Sequence, residues 1–462
     1  MKIGLLPLGR PTFDIPYAGE RLAAMLARLD ATEHDFVGPR DLLLDGDAAR
    51  QALTALKGEG IDHLLILQVT FTDAVIAVEA GAAFDGPLSI WAVPEPRLGG
   101  RLRLNAFCGL NLASHALGLN GRRFGWLFAD PESDVSGSLA DLLAGKASVP
   151  APMPVDADPG EKAAEGRDIA GRLKGKRMAR VGHHPDGFDT CRYSPDALSA
   201  LAGVSVDEIA LDTLFDAARA VPAGDAAEAR AGADALLDGL DTVDQAELDR
   251  SLRLKLALDG LRAGGGYDAF AIRCWPETFT EYGGAVCGPV SMLGEARVPC
   301  ACEADVYGAL TQLVLQEAAD APVFLADLVD MDPADDTGVV WHCGQAPLSM
   351  CDDGHRAHAT IHTNRKMPLL FEFPLKPGRV TVMRVSQAFG EPKMVLAGAE
   401  MLDREMAFTG TSGVLRFDAS AGDMLDAVIA SGLEHHVAIA YGEHRPVLRG
   451  VAAALGLPVL EL

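Results

Sequence analysis

Over roughly its first 145 residues the chain alternates apolar runs with stretches of helical spacing, and this alternation limits the fold more than any other feature. KIGLLPL (2–8) ends in a Gly-Arg-Pro turn, and residues 16–29 follow with helical periodicity. HLLILQV (63–69) leads into a helical stretch through Ala83, and LSIWAV (88–93) and RFGWLFA (123–129) continue the series. Such runs need cover on both faces, which predicts a parallel sheet with helices on either side. SVPAPMPVDADPGEKAAEG (148–166) carries four prolines, which exclude a regular helix or central strand, and reads as a linker. A second α/β unit follows: strands at MARVGHH and VSVDEIA, a long helical region over 223–263 broken near Asp241, a turn into the strand DAFAIRCW, and a strand–helix–strand unit from VPCAC through APVFLADLV. Beyond about residue 335 the segments become short and several alternate (HATIHT, LLFEFPL, RVTVMRVSQ, KMVLAGAEML, GVLRFD), before a last helix near 444–455 and strand near 457–461. The expected architecture is α/β. Two Rossmann-like parallel-sheet domains (1–147 and 167–332), joined by the 148–166 linker, precede a C-terminal antiparallel, barrel-like domain (333–462).

At 462 residues the chain is too long for one core. With 49% hydrophobic and 23% charged residues it has the profile of a water-soluble globular protein. No apolar run reaches a membrane span, and MKIGLLPLGRPTFD reads as a first strand and not as a signal peptide, so a cytoplasmic protein is expected. A formal charge of −25 repels nucleic acid and anionic membrane, excluding both as partners; an anionic substrate would need a local cationic pocket. The eight cysteines contain no CxxC pair and fit free thiols in a reducing compartment. No GxGxxG follows any predicted strand, which argues against a dinucleotide-dependent dehydrogenase.

The candidate chemistry begins with two acids. Glu303 follows the strand VPCAC, and Asp327 lies 24 residues later near the end of APVFLADLV, with a helix between. A right-handed parallel crossover would make the two strands neighbours, about 4.8 Å apart, with both carboxylates at the carboxyl edge where open α/β sheets bind ligands. Two acids so close repel unless a cation lies between them; the alternative is a helix cap and a surface ion pair. In GLEHHVAIAYGEH, strand alternation allows only one of His435 and His436 to reach an inward site. His342 in WHCG is either a second imidazole or a structural hydrogen-bonder. His355, His358 and His362 have spacing compatible with a metal tract, but their β-branched surroundings read as loop or strand, and His183-His184 before Pro185 reads as a loop. In IRCWPET, Arg273 and Trp275 fall on one face of a strand.

These segments resemble the L-fucose isomerase and L-arabinose isomerase superfamily over most of the chain, most clearly from Phe270 onward. CEADVYGALT matches the segment of the first metal-ligating glutamate (Glu303), VFLADLVD that of the second acidic ligand (Asp327), and HHVAIAYG that of the ligating histidine (His436); WHCG places His342 near a further ligand. LGRPTFD resembles the segment whose arginine, here Arg10, reaches a neighbouring subunit's site. The resemblance implies a metal-dependent aldose–ketose isomerase working through a cis-enediol, with Glu303 and Asp327 catalytic and also ligating, together with His436, one manganese ion (magnesium or cobalt as alternatives). Arg10, Gln68, Arg273 and Trp275 are candidate substrate contacts, with a stacked structural pair as the alternative for Arg273 and Trp275, and the resemblance implies a homo-oligomer, hexamer or trimer, with sites at subunit contacts. The sugar is left open. A charged aldose such as sulfoquinovose is one alternative reading, and a non-catalytic sugar-binding protein on the same scaffold is another.

Overall fold

The computed structural model describes residues 1–146 and 149–462, so the expected boundary at 147/148 lies outside the described residues. Strands β1 (Lys2–Leu8), β2 (Asp35–Val37), β3 (His63–Gln68), β4 (Leu88–Ala92) and β5 (Gly125–Phe128) form a parallel sheet in the order β2-β1-β3-β4-β5. β3 is buried at every position, because helices cover both faces. Strands β6 (Arg177–Val181), β7 (Ser205–Ile209), β8 (Ala269–Ile272) and β9 (Cys300–Ala301) form a second parallel sheet, ordered β7-β6-β8-β9. The expected helical break near Asp241 is present: helices span Ala223–Leu236 and Gln245–Gly265, the second capped by the Asp244 carboxylate on two backbone N–H groups.

The remaining strands build one large mixed sheet. β10 (Phe324–Asp332), β11 (Thr337–His342), β12 (His358–Thr360), β13 (Leu370–Pro374), β14 (Gly378–Ser386), β15 (Lys393–Met401), β16 (Thr411–Phe417), β17 (His436–Tyr441) and β18 (Val459–Glu461) lie in the order β12-β13-β16-β11-β10-β17-β14-β15-β18, and β15 also pairs with β16. The pairings are antiparallel except β13–β16 and β15–β18.

This topology corrects one expectation. β10 is not a parallel neighbour of β9 and does not belong to the second sheet; it sits inside the nine-stranded sheet, antiparallel to both β11 and β17. The run APVFLADLV is apolar on both faces, and an apolar run reports burial without reporting the direction of its partners. Asp327 is therefore carried by the C-terminal sheet. The Val306–Ala319 helix, buried through Gln316, lies between the second and third sheets and still delivers Glu303 and Asp327 to one place. The 148–166 stretch is partly built into the fold as well. Val155 exchanges two 2.8 Å backbone hydrogen bonds with Val459, and its last residues open the Ala163–Leu173 helix.

Candidate active site

Glu303 stands in the turn leaving β9, in left-handed conformation (φ 58°, ψ 23°), an arrangement a non-glycine residue adopts at some cost. Its side chain is held on both oxygens. Trp275 Nε1 donates to Oε1 at 2.9 Å, and His435 Nε2 lies 3.0 Å from Oε2. Burial opposes ionisation of Glu303, but the hydrogen bond and the charge of His435 outweigh it, with His436 adding, and bring the carboxyl down to about 2.

Asp327 on β10 pairs directly across the ladder with His436 on β17, which puts both side chains on one face. His436 Nδ1 lies 2.9 Å from Asp305 Oδ2, and Asp305 is locked by Arg384, whose two terminal nitrogens stand 2.6 and 3.1 Å from its oxygens. Burial pushes against the ionised form of Asp305, but the adjacent Arg384 charge and the His436 hydrogen bond hold its carboxyl far below the usual range. Asp305 accepts the hydrogen bond from Nδ1–H, so when the ring gives up its second proton, as metal binding requires, Nε2 is the nitrogen left with a lone pair. That lone pair faces Asp327 Oδ1 at 3.3 Å and Glu303 Oε2 at 3.8 Å. Neither Asp327 Oδ1 nor His436 Nε2 has a hydrogen-bond partner, and both are buried, as is His342 Nε2. Ligand atoms of Asp327, His342 and His436 lie within 4.8 Å of one another, as do those of Glu303, His435 and His436. Acceptors turned toward acceptors in a buried space need a proton or a cation between them. Two carboxylates and two imidazoles are a donor set that suits a divalent transition metal. Asp327 responds as the metal-free chemistry requires: burial raises its carboxyl to about 7 against the pull of His436, and the Glu303 charge adds to the rise.

Trp275, Glu303, Asp327, His342 and Arg10 line one cavity, partly open to solvent. Phe13, Phe71, Phe188 and Trp275 form a chain of aromatic contacts with ring centroids 5.5–6.0 Å apart along one side.

Gln68 does not reach the cavity: its amide is consumed by Thr70 O at 2.6 Å and Thr72 Oγ1 at 3.0 Å, where it braces the loop after β3. Arg273 pairs with Glu277 and with the carbonyls of His183 and His184 in a separate surface cleft. Since β8 ends at Ile272, alternation does not carry Arg273 and Trp275 to one face. Both histidines of the His435-His436 pair reach Glu303, because β17 begins only at His436 and His435 precedes the alternating strand. Arg10 lines the cavity of its own chain. His355 and His358 are exposed and away from the cavity, whereas His362 lines it.

Sequence reasoning missed Asp305, Arg384 and Arg365, and took His436 alone where His435 also reaches Glu303. Asp305 carried a signal, an acid two residues past Glu303 at the start of a helix, where it caps Gly308 N at 2.8 Å. Arg384 and Arg365 carried none, since only the folding of distant strands and loops brings them in.

A family model described as "Fucose/sulfoquinovose isomerase, N-terminal domain" matches residues 4–149. The whole chain is 30% identical to the sulfoquinovose isomerase of Clostridium sp. (strain MSTE9) over 463 residues, which covers 99% of this chain and 98% of that one. It is 28% identical to the sulfoquinovose isomerases of Priestia aryabhattai (95% of this chain, 94% of that one) and of Alkalicoccus urumqiensis (99% and 98%). The chain belongs to the fucose/sulfoquinovose isomerase family and is an aldose–ketose isomerase.

Proposed function

We propose that the protein converts sulfoquinovose, an aldohexose ending in a sulfonate, to its 2-ketose with the help of one divalent cation. The cation, manganese before magnesium or cobalt, is held by Glu303, Asp327 and His436, with His342 as a further donor. The observation that carries the metal is that His436 Nε2 and Asp327 Oδ1, both buried and without a hydrogen-bond partner among the described residues, face each other at 3.3 Å. When bound, such an ion polarises a carbonyl and acidifies the adjacent C–H. The chain's own residues do the rest. Arg384 and Asp305 fix the ring of His436, and Trp275 and His435 fix Glu303. One of the carboxylates of Glu303 and Asp327 takes the proton from C2 of the open-chain aldose as O1 gains a proton, giving the cis-enediol, and the other helps return a proton to C1 as the C2 hydroxyl gives up its own. A positioned carboxylate contributes about 10²–10⁴-fold to such a transfer. The aromatic wall excludes water from the enediol.

The charged sugar is favoured by the names of the relatives and by the cations of the cavity, Arg10 and Arg365, in a chain whose formal charge is −25. Eight free thiols support a cytoplasmic setting, and no helix among the described residues is long and apolar enough to cross a membrane. The superfamily resemblance supports a homo-oligomer, and the return pairing of β15 to β16 supports the barrel-like reading of the C-terminal sheet.

The test is an aldose panel with metal-stripped and manganese-loaded enzyme. Sulfoquinovose should give the highest kcat/KM, with activity lost to EDTA and restored by Mn²⁺. Equal or faster turnover of L-fucose, or full activity in EDTA, contradicts the reading.

A further inference from the structure

The cavity has an acidic, imidazole-rich end and a cationic end, and Trp275 joins them. Its Nε1 donates to Glu303 Oε1 at 2.9 Å. Around the same indole stand two guanidinium groups, Arg10 and Arg365, each with its central carbon 5.1 Å from the ring centroid. Arg365 also lies 5.9 Å from the ring of Phe279 and Arg10 5.7 Å from that of Phe71, so aromatic faces flank both cations.

Arg365 is half-buried, yet its guanidinium has no hydrogen-bond or carboxylate partner among the described residues. Arg10 has only Asp73, at a distant 3.9 Å. Burial, reinforced by repulsion from Arg10, lowers the pKa of Arg365, as expected of like charges sharing a partly desolvated space. A third cation stands behind them: Arg101 donates to Asn364 Oδ1 at 2.8 Å, next to Arg365 in sequence. A half-buried arginine fork without an anion is an incomplete site, since guanidinium is built to meet sulfonate, phosphate or carboxylate oxygens with two donors at once.

We propose that Arg365 and Arg10, ranged about Trp275, form the seat for the terminal anionic group of the sugar and thereby select charged over neutral aldoses. The inference rests on the isomerase reading above and adds to it the residues that choose the substrate. The reacting C1–C2 end lies toward Glu303 and Asp327, and the terminal oxyanion lies toward the two arginines. One side chain, Trp275, sets the spacing between the two ends of the open-chain hexose.

The test is steady-state kinetics of the manganese-loaded enzyme and its Arg365→Met, Arg365→Lys and Arg10→Met variants on sulfoquinovose, glucose 6-phosphate and glucose. Arg365→Met should raise KM for the charged substrate by roughly 10- to 100-fold, the worth of a charge-assisted hydrogen-bonded pair, with a much smaller change in kcat. Arg365→Lys should recover part of the loss, because the charge returns without the fork. Arg10→Met should act in the same direction. A KM for sulfoquinovose within about twofold of wild type in both methionine variants overturns the seat while leaving the isomerase reading intact. Wild-type enzyme that turns over no charged aldose overturns that reading and the seat together. A preference for glucose 6-phosphate with the same arginine dependence upholds the seat and rejects the sulfonate.

Discussion

Glu303 reaches its position through a backbone conformation that few non-glycine residues adopt, and both its carboxylate oxygens are engaged before any substrate arrives. Glu303→Gln should therefore keep the fold and lower kcat by at least about 10²-fold, the lower end of a positioned proton transfer; a circular-dichroism melt beside a turnover assay separates the two effects. Asp305 is a positioning residue, not one that meets the sugar. Asp305→Asn weakens the anchor on His436 and leaves Arg384, 2% exposed at the side chain, with only Glu434, 3.9 Å away, as counter-charge. Breaking such a buried pair costs about 3–5 kcal/mol of stability, and loss of the carboxylate behind a ligating histidine typically lowers metal affinity about 10- to 100-fold. Denaturant unfolding and manganese titration read these separately. The pH dependence follows from Asp327, whose carboxyl is raised to about 7 in the metal-free protein, mainly by burial. A folded value above the unfolded one means that the native state holds the proton more tightly. Metal-free stability should thus fall as pH rises from about 4 to about 7, with Glu95 (about 7) and Asp330 (about 6), both raised by burial, adding in the same direction. Asp305, held low, contributes stability above its unfolded value and loses it only under stronger acid, outside this window. Manganese should bind more weakly below pH 7 and displace the Asp327 proton, measurable as proton release in calorimetry with two buffers. Much of the constellation was legible residue by residue, because Glu303, Asp327 and His436 each sit in a recognisable local context. Gln68 and Arg273 were misjudged because nearness to a strand's carboxyl end does not reveal which partner a polar side chain finds first.

At the level of elements, amphipathic and exposed stretches were the easiest to read. The Arg445–Leu455 helix and the Ile15–Asp30 helix were legible within a residue or two, since each alternates buried and exposed positions. The Ala106–Leu119 helix was not: twelve consecutive residues from Ala106 to Leu117 are buried, leaving no polar stripe to betray the helical period. The direction of β10 was equally invisible, for the reason given by its two-sided burial. Packing between elements yields its own prediction. The Ala163–Leu173 helix crosses the Arg445–Leu455 helix at Gly166 and Gly450 so closely that a Cβ on Gly166 would stand 2.1 Å from the Gly450 carbonyl carbon. Gly166→Ala must push the helices apart and should cost about 1–3 kcal/mol, lowering Tm while activity below the transition persists. An unchanged Tm would mean that the crossing is looser than described.

Across the whole molecule, the site draws on all three sheets. Arg10 comes from the edge of the first, Trp275 and Glu303 from the edge of the second, and Asp327 and His436 from the interior of the third. A cation bound there ties the sheets together, so manganese at 100 times its Kd should stabilise the folded chain by about 2.7 kcal/mol, seen as a rise in Tm that His436→Ala abolishes. The most direct examination of the metal claim is anomalous diffraction from crystals grown with manganese. A single strong peak is expected in bonding contact with carboxylate oxygens of Glu303 and Asp327 and with His436 Nε2. A cavity free of anomalous density at saturating manganese, or a peak held instead at the His355–His362 loop, would contradict it.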